Sequence, residues 1–328
     1  MRALVTGATG FLGGRLARML AAAGRDVVAT GRNPEAGQRL ESPGITFRTV
    51  DLTSPEQLRA LPPCELVFHC AALSSAWGPM AAFRRANVDA TRNLLDYCRR
   101  AGTRRLVHIS TPSIYFDFRD RTDVAEDAPL PRRFVNAYAA SKYAAECLLN
   151  DAARDGAGPQ VAILRPRGIF GVGDTALMPR LERVARRGRF PLLRGGRALV
   201  DITHVDNVAH AAMLAADAPL AAPAACYNIT NGEPCAIGDI LSAVLRPLFP
   251  GCRFTPLPYP PLHGAARLME TGARLLRLGE PPLTAYGVGL MAFSQTLDIS
   301  RARRDLGYSP PVPLQEGIDR YVHARGRG

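Results

Sequence analysis

The chain has 328 residues, of which 47% are hydrophobic and 21% are charged, as expected for a soluble globular protein with room for a second lobe beside one main domain. Its net charge of +12 comes from 41 basic residues that form no basic stripe interleaved with aromatics, which argues against a nucleic-acid partner. No apolar run reaches the roughly 20 residues of a membrane-spanning helix, and no export signal precedes the first strand. The seven cysteines are scattered without a C-x-x-C pair, which predicts reduced thiols in a cytoplasmic protein and no metal site.

Strands and helices alternate through the first half of the chain. Apolar runs of strand length lie at residues 3–5, 27–29, 45–50, 66–68, 106–109 and 161–164, and helical periodicity appears at 11–23, 80–99 and 138–153. Gly24 and Gly102 stand where C-terminal helix caps belong. The alternation predicts an α/β fold, a doubly wound parallel sheet of the Rossmann type.

The pattern changes after about residue 168, where Pro and Gly become frequent. Helical segments at 177–187, 237–249 and 262–278 are joined by loops, and an apolar strand at 225–229 returns to the main sheet. We therefore predict a dinucleotide-binding domain over residues 1–168, to which 200–231 return. A smaller, mostly helical substrate lobe is predicted over 169–199 and 232–328.

A glycine-rich turn follows the first strand and opens the first helix. Its glycines have the spacing G-x-x-G-x-x-G, which allows a tight turn, close approach of the backbone to a pyrophosphate, and packing of helix on strand. The N–H groups at the helix N-terminus can then bind phosphate oxygens. We assign to this predicted dinucleotide site Gly7, Thr9, Gly10, Phe11, Leu12 and Gly13.

The end of the second strand bears on which nicotinamide cofactor binds. A carboxylate there would accept a hydrogen bond from the ribose 2′-OH of NAD and repel a 2′-phosphate. This chain has Arg32 and Asn33 instead. Because Arg32 can pair with a phosphate, NADP(H) is the predicted preference. NAD(H) stays an alternative, since Arg32 could also stack on adenine at the surface.

Two further strand ends complete the predicted cofactor site. Asp51 and Leu52 follow the third strand, within reach of the adenine amino group, and Ala71 and Ala72 follow the fourth, where small residues let the backbone lie along the cofactor. His69 is predicted to pack at a strand end and not to bind a metal ion, because no second metal ligand lies nearby in the sequence.

Tyr138 and Lys142 are four residues apart on a predicted helix and therefore share one face. A nearby cation favours the phenolate and lowers the pKa of a tyrosine, so the phenol can act as general acid or base. The ammonium can also bind the nicotinamide ribose. Lys142 is the only lysine in the chain, which suggests a role that only a compact ammonium fills. Ser110 and Thr111 end the fifth strand, at the carboxyl edge where such sheets bind ligands.

The motifs at residues 6–13, 51–52, 110–115, 138–142, 165–166 and 204–208 together resemble an extended short-chain dehydrogenase/reductase, and the resemblance covers essentially the whole chain. It implies that Tyr138 is the acid/base and Lys142 its electrostatic partner. Thr111 is implied as the hydroxyl that holds the carbonyl, because it stands four residues before Tyr115 in the family's S-[ST]-x-x-[VI]-Y pattern. The nicotinamide would be lined by Pro166, Gly168 and Ile169.

Three branches of that family compete. The 4,6-dehydratases carry Asp-Glu after the catalytic Thr, where this chain has Pro112 and Ser113. Sugar-nucleotide epimerases typically have Asn at the position of Gly168. The 3β-hydroxysteroid dehydrogenase-like branch, with its bacterial 2-alkyl-3-oxoalkanoate reductases, matches best, at residues 76–78, 165–171, 227–234 and 304–310.

That branch implies an NAD(P)-dependent oxidoreductase acting on a 3-oxo or 3-hydroxy group of an apolar substrate, either a long-chain 3-oxo acid or a steroid-like molecule. A nucleotide-sugar epimerase and a non-catalytic cofactor-sensing regulator stay open as alternatives, although such regulators usually lack the Tyr/Lys pair. The apolar segments 262–278 and 283–293 predict an apolar pocket or peripheral membrane contact. The family expectation is a homodimer through the helices at 80–99 and 138–153.

Overall fold

The computed structural model describes residues 1–156, 158–276 and 278–326. Within these residues the strands are β1 (Arg2–Thr6), β2 (Asp26–Gly31), β3 (Ile45–Thr49), β4 (Leu66–His69), β5 (Arg105–Ile109), β6 (Arg121–Val124), β7 (Gln160–Pro166), β8 (Ile169–Phe170), β9 (Arg189–Leu193), β10 (Leu199–Val200), β11 (Thr203–His204), β12 (Ala224–Ile229), β13 (Cys235–Ala236), β14 (Arg253–Leu257) and β15 (Gln295–Leu297).

The helices are α1 (Phe11–Ala22), α2 (Pro34–Gln38), α3 (Pro55–Arg59), α4 (Met80–Phe83), α5 (Ala90–Ala101), α6 (Ala137–Arg154), α7 (Leu177–Ala185), α8 (Val205–Asp217), α9 (Ile237–Leu248), α10 (Tyr259–Leu275), α11 (Ala285–Ala292), α12 (Ser300–Leu306) and α13 (Leu314–Gly326). None of them, within the described ranges, has both the length and the apolar character needed to cross a bilayer.

Seven strands form one sheet in the order β12-β7-β5-β4-β1-β2-β3, and every neighbouring pair is parallel. The chain runs outward from β1 to β3 and then returns to β4 on the other side of β1. The strand order therefore reverses between β1 and β4, and the carboxyl ends of these two strands border the crevice where such sheets bind ligands. The prediction of a doubly wound parallel sheet is confirmed.

Side chains of each strand alternate between two cores. Ala3 and Val5 of β1 belong to the core beneath α1 and α8, whereas Leu4 points into the opposite core beneath α5 and α6. Because helices cover both faces, the residues of β4 and β5 are buried on both sides of the sheet, and most of them are apolar. The sheet is therefore a rigid support for the residues at its carboxyl edge.

The second lobe has a core of its own, in which side chains of β9, α7, α9 and α13 pack together. Beside it β13, β10, β15 and β6 form a small sheet, so the first half of the chain contributes β6 to this region. These strands could not be recognised from the sequence, because runs of two to four residues show too little alternation of apolar and polar side chains. The domain boundaries stay a prediction.

The helix predicted over 80–99 is interrupted. A six-residue π-helical stretch, Arg84–Asp89, lies between α4 and α5. Such wide turns often occur at functional sites. Here the stretch contains Asn87, whose side chain binds both the N–H and the carbonyl of Leu73 at 2.8 and 3.1 Å and donates to Ser141 Oγ at 2.9 Å. The wide turn thus connects the loop after β4 to α6.

Candidate active site

The glycine turn after β1 lies against the backbone at the end of β4. Gly7 has a φ of +66°, and a Cβ on it would lie 2.7 Å from both Cα and N of Ala71. A Cβ on Gly13 would lie 2.3 Å from the Gly7 carbonyl oxygen. Glycine is therefore required at both positions for packing, and at Gly7 for the backbone conformation as well. The two strand ends bordering the crevice are as close as their backbones allow, and such a cradle fits a pyrophosphate.

The N-terminus of α1 opens into the same turn. Gly10 is its N-cap and provides no side chain to accept from the first-turn N–H groups, which are therefore suited to bind phosphate oxygens. Phe11 is partly buried. Leu12 is 9% exposed and packs in the core beneath the sheet, so only its backbone could contact a cofactor.

Thr9 and Arg32 lie at neighbouring strand ends. A Cβ on Gly31 would lie 2.7 Å from the Thr9 side chain, so glycine here lets the turn pack against the end of β2. Arg32 is exposed. Asn33 accepts from the Ala36 N–H at 2.8 Å and caps α2. The side-chain oxygen of Asn33 therefore has a structural role, and its amide N–H₂ is the group that could donate to a cofactor.

Asp51 and Leu52 follow β3 on the same edge. Hydrogen bonds from the N–H and hydroxyl of Thr53, at 2.9 and 2.8 Å, lower the pKa of Asp51, and the charge of Arg32 acts in the same direction. Leu52 is buried. Past β4, Ala71 is partly buried and Ala72 is exposed. The predicted adenine-side residues therefore share one edge of the sheet; their role in cofactor binding stays a prediction.

Lys142 is buried in the interior of α6, with only 1% exposed. Its Nζ lies 3.0 Å from Nε2 of His108, a residue of β5 that sequence analysis did not select. Burial lowers the pKa of Lys142 to about 8, while the carboxylate of Glu146 opposes the shift. His108 is also buried and its pKa is well below the ordinary value because of burial. A neutral imidazole accepts through Nε2 when Nδ1 carries the proton.

Tyr138 lies one helical turn before Lys142. Burial raises its pKa to about 12, and a hydrogen bond with the Thr111 side chain acts in the opposite direction. The expectation that Lys142 lowers this pKa is wrong for the structure described here, because the ammonium lies against His108 and desolvation of the phenol dominates. Tyr138 is therefore protonated at neutral pH.

A chain of hydroxyl groups extends from Thr111 into the second lobe. Thr111 Oγ1 donates to Ser113 Oγ at 2.9 Å, and Ser113 Oγ lies 2.7 Å from the hydroxyl of Tyr286 on α11. Tyr286 also acts electrostatically on Tyr138. Tyr286 was not predicted as a site residue; its only signal in the sequence is a tyrosine within the apolar segment 283–293.

Ser110 is committed to a buried ion pair beneath the site. Its hydroxyl donates to the carboxylate of Glu146, a residue that is 1% exposed. Arg165 donates to both oxygens of the same carboxylate, at 3.0 and 2.5 Å, and to the hydroxyl of Tyr115. The network joins β5, α6 and β7, and it leaves Thr111 as the hydroxyl that lies beside Tyr138. The catalytic role of Thr111 stays a prediction.

His69 packs at a strand end, as predicted. Its Nδ1 is 2.8 Å from Thr6 Oγ1 and its Nε2 is 2.9 Å from Thr91 Oγ1. Burial lowers its pKa to about 3. Nowhere in residues 1–156, 158–276 and 278–326 do three His, Cys, Asp or Glu side chains come together in a group able to hold a metal ion.

The segment after β7 borders the other side of the crevice. Gly168 has a φ of +55°, and its carbonyl accepts from the Thr203 N–H at 3.0 Å. Ile169 is partly buried and pairs with Thr203 between β8 and β11. Pro166 is the last residue of β7. That Pro166, Gly168 and Ile169 line a nicotinamide stays a prediction.

Known proteins are similar to this chain over nearly its whole length. It is 36% identical to a 4-hydroxy-2-methyl-3-oxo-4-farnesyl-3,4-dihydroquinoline-1-oxide ketoreductase of Stigmatella aurantiaca, over 97% of this chain and 95% of that protein. It is 37% identical to a 2-alkyl-3-oxoalkanoate reductase of Stenotrophomonas maltophilia (strain K279a), over 98% of each. It is 33% identical to a 3beta-hydroxysteroid-dehydrogenase/decarboxylase isoform 1 of Arabidopsis thaliana, over 87% of this chain and 68% of that protein.

Among solved structures, MoeE5 in complex with UDP-glucuronic acid and NAD superposes with a TM-score of 0.77 and 28% sequence identity, over 100% of this chain and 99% of that one. The model of the NAD dependent epimerase/dehydratase family matches residues 3–230. The predictions of an extended short-chain dehydrogenase/reductase and of an NAD(P)-dependent oxidoreductase are confirmed. With its glycine cradle, its Tyr138/Lys142 pair and these matches, the chain belongs to the NAD dependent epimerase/dehydratase family, as an extended short-chain dehydrogenase/reductase.

Proposed function

We propose that this protein reduces a 3-oxo group, or oxidises the corresponding 3-hydroxy group, on an apolar substrate, with a nicotinamide cofactor. The observation that carries the proposal is the group formed by Tyr138, Thr111, Ser113 and Tyr286 beside the buried Lys142, at the carboxyl edge of a nucleotide-binding sheet. Such hydroxyls can hold a carbonyl oxygen and deliver a proton to it.

Each residue has a separable role. When bound, the nicotinamide supplies or accepts the hydride. The backbone from Gly7 to Gly13 would hold the pyrophosphate. Tyr138 would donate a hydrogen bond to the substrate oxygen, and Thr111 would do the same once its hydroxyl rotates away from Ser113. Because its pKa of about 12 keeps Tyr138 protonated at neutral pH, the phenol is suited to give up its proton as a general acid in the reductive direction. The ammonium of Lys142, which lies against His108 and is not among the groups that act on Tyr138, would instead bind the nicotinamide ribose.

The apolar character of the substrate is supported by the second lobe. The Phe116 ring lies edge-on to Tyr286 at 5.5 Å and to Phe118 at 5.2 Å. Behind Tyr286, Leu193, Ala266 and Val288 form a small apolar core. The relatives named for reduction of alkyl-oxoalkanoates and for oxidation of hydroxysteroids act on substrates of this kind.

A nucleotide-sugar epimerase is the second candidate, favoured by the family model and by the likeness to MoeE5. It would use the same hydroxyl group and cofactor. Gly168, where epimerases typically have Asn, disfavours it. A cofactor-sensing regulator is disfavoured because Tyr138 and Lys142 are both present and buried together at the site.

We further propose that NADP(H) is the preferred cofactor. Arg32 is exposed at the end of β2 without an acidic residue at its own strand end, and its guanidinium can pair with a 2′-phosphate. Asp51 on the adjacent strand lies close enough for its pKa to respond to Arg32, so the two charges together set the local field. Comparison of the Michaelis constants for NADPH and NADH tests the proposal, and a clear preference for NADH would contradict it.

The proposed activity is tested by NADPH consumption against long-chain 3-oxo acids, 3-oxosteroids and apolar ketones, with NADH as alternative cofactor and UDP-sugars as control substrates. Turnover of one apolar class supports the reductase and identifies its substrate class. Interconversion of UDP-sugars without reduction of any apolar ketone would assign the protein to the epimerases.

Peripheral membrane contact is proposed from α10. Leu268 and Leu275 on this helix and Leu276 just after it are 76%, 79% and 70% exposed, with Arg267 and Arg274 nearby in sequence. Exposed leucines flanked by arginines suit the surface of an anionic bilayer. Co-sedimentation with anionic and neutral phospholipid vesicles tests this contact, and equal absence of binding to both would contradict it. The homodimer and the cytoplasmic location stay predictions; the first is tested by sedimentation equilibrium.

A further inference from the structure

Arg167, directly after β7, is a partly buried arginine without a partner for its cation. Its Nε is a buried atom with no hydrogen-bond partner, and its guanidinium forms no ion pair within the described ranges. Arg165, two residues earlier, differs: it binds both oxygens of Glu146. Burying a cation without a counter-ion costs folding free energy, so a buried, unpaired arginine indicates a site where an anionic ligand provides the missing partner.

The surroundings of Arg167 place it at the proposed active site. The ionisable groups that act on it are Tyr286 and Asp201. Tyr286 is the hydroxyl that binds Ser113 at 2.7 Å, and Ser113 in turn accepts from Thr111 at 2.9 Å. Arg167 follows β7, which pairs with β5 through Leu164 and Ile109. It therefore lies at the same carboxyl edge of the sheet as Thr111, close enough to Tyr286 for the phenol to act on its charge.

Asp201 does not act as a bonded partner of Arg167. Its carboxylate accepts from the Leu297 N–H at 2.8 Å and interacts with the Thr230 side chain, and burial raises its pKa to about 6. Asp201 therefore interacts with Arg167 only electrostatically and accepts no hydrogen bond from the guanidinium N–H groups.

We propose that Arg167 binds the carboxylate of the substrate, which makes the substrate an apolar 3-oxo or 3-hydroxy acid and not a neutral ketone or sterol. In a 3-oxo acid a single carbon separates the carboxylate from the oxo carbon. In this proposal the oxo oxygen lies between Thr111 and Tyr138, and the carboxylate, held close to it, lies against Arg167. The planar guanidinium is suited to this role because it donates to both carboxylate oxygens at once. This inference rests on the proposed oxidoreductase function.

The test uses 3-hydroxydecanoate and its methyl ester, which share the reacting alcohol and the alkyl chain and differ in charge. Oxidation of each by NADP⁺ is measured for the wild type, Arg167→Met, Arg167→Lys and Arg187→Met, the last being a matched control at an exposed arginine. We expect the wild type to prefer the acid. Arg167→Met should lower kcat/KM for the acid about 10- to 100-fold more than for the ester, the range for a lost hydrogen bond to a charged group. The loss should lie mainly in KM, Arg167→Lys should restore part of the preference, and Arg187→Met should retain all of it.

Other outcomes overturn the carboxylate site. Equal loss for acid and ester would mean a structural role, and weakened NADP⁺ binding with both substrates would mean that Arg167 serves the cofactor. If the wild type turned over the ester and the acid equally well, the carboxylate site at Arg167 would be refuted, whereas the proposed oxidoreductase activity would stand. Calorimetric titration of 3-hydroxydecanoate into the NADP⁺-bound protein separates the two proposals. If the wild type binds the acid without turnover and Arg167→Met does not bind it, the anion site stands and the proposed activity falls; absence of binding to the wild type overturns the anion site.

Discussion

The two sides of the crevice are built in different ways. The proposed cofactor side consists of backbone: Gly7 and Gly13 lie so close to their neighbours that a Cβ would come within 2.7 and 2.3 Å of main-chain atoms. The proposed substrate side consists of side chains: the hydroxyls of Thr111 and Ser113 after β5 and of Tyr286 on α11 form one hydrogen-bonded chain.

This difference separates what is common to the family from what individual members can vary. A site built from backbone accepts few substitutions and recognises a part that all its cofactors share, the pyrophosphate. A site built from side chains on separate elements can change its substrate by single substitutions, while the sheet beneath stays the same. Variants on the two sides should therefore fail in different ways.

The largest effect is expected from Tyr138→Phe, on the substrate side. Loss of the proton donor should lower kcat about 10²- to 10⁴-fold, the range for general acid–base catalysis. Quenching of protein fluorescence by NADPH should show cofactor affinity within a few-fold of wild type, because the phenol is not part of the pyrophosphate cradle. Retained turnover would remove Tyr138 from the mechanism.

On the cofactor side, Gly7→Ala should weaken cofactor binding and lower the free energy of unfolding, with little direct effect on the catalytic step. The new Cβ would meet Ala71 at 2.7 Å, whereas the same change at Gly102, with an equally left-handed φ of +65°, meets nothing within 4 Å. Gly102→Ala should therefore cost about 1–2 kcal/mol of the free energy of unfolding, and Gly7→Ala about 1–3 kcal/mol more. Urea unfolding of the two variants gives the difference, and the cofactor dissociation constant should rise only for Gly7→Ala. Equal destabilisation would show that the close contact is relieved by movement.

A smaller effect is expected at Tyr286, where the two lobes meet. Tyr286→Phe removes the hydroxyl bonded to Ser113 and keeps the ring packed against Phe116. Loss of one neutral hydrogen bond should lower kcat/KM about 2- to 10-fold, without weakening NADPH binding. The control is Tyr97→Phe, in the opposite core, where the hydroxyl binds the Pro62 carbonyl far along the chain from the site. If both variants lowered kcat/KM equally, Tyr286 would have no specific role.

The subtlest test concerns the pH dependence of stability at Lys142. Its folded pKa of about 8 lies below the ordinary 10.5, so the unfolded chain binds more protons between these values. The penalty of burying the ammonium is therefore fully present below about pH 8 and is relieved as pH rises toward 10.5. The free energy of unfolding of the wild type should rise, relative to that of Lys142→Met, over this window. A constant difference would show that the ammonium is better solvated than its burial indicates.

The family, the parallel sheet and the glycine turn after β1 could be predicted from the sequence because their signals are local; the binding role of the turn stays a prediction. Gly7, Gly10 and Gly13 lie in one short loop-to-helix segment, and Tyr138 and Lys142 are about one helical turn apart. The preference for Thr111 depended on a family pattern; the structure adds a reason, since the neighbouring Ser110 donates to Glu146.

Contacts between distant residues were decided only by the tertiary structure. His108 is 34 positions from Lys142, and Tyr286 is 173 positions from Ser113, so no spacing rule links either pair. The direction of the Tyr138 pKa shift also depended on the fold, because a neighbouring cation in sequence predicts a lower value while burial raises it to about 12. Short-range periodicity determines which elements form, but desolvation and side-chain partnership depend on how those elements pack.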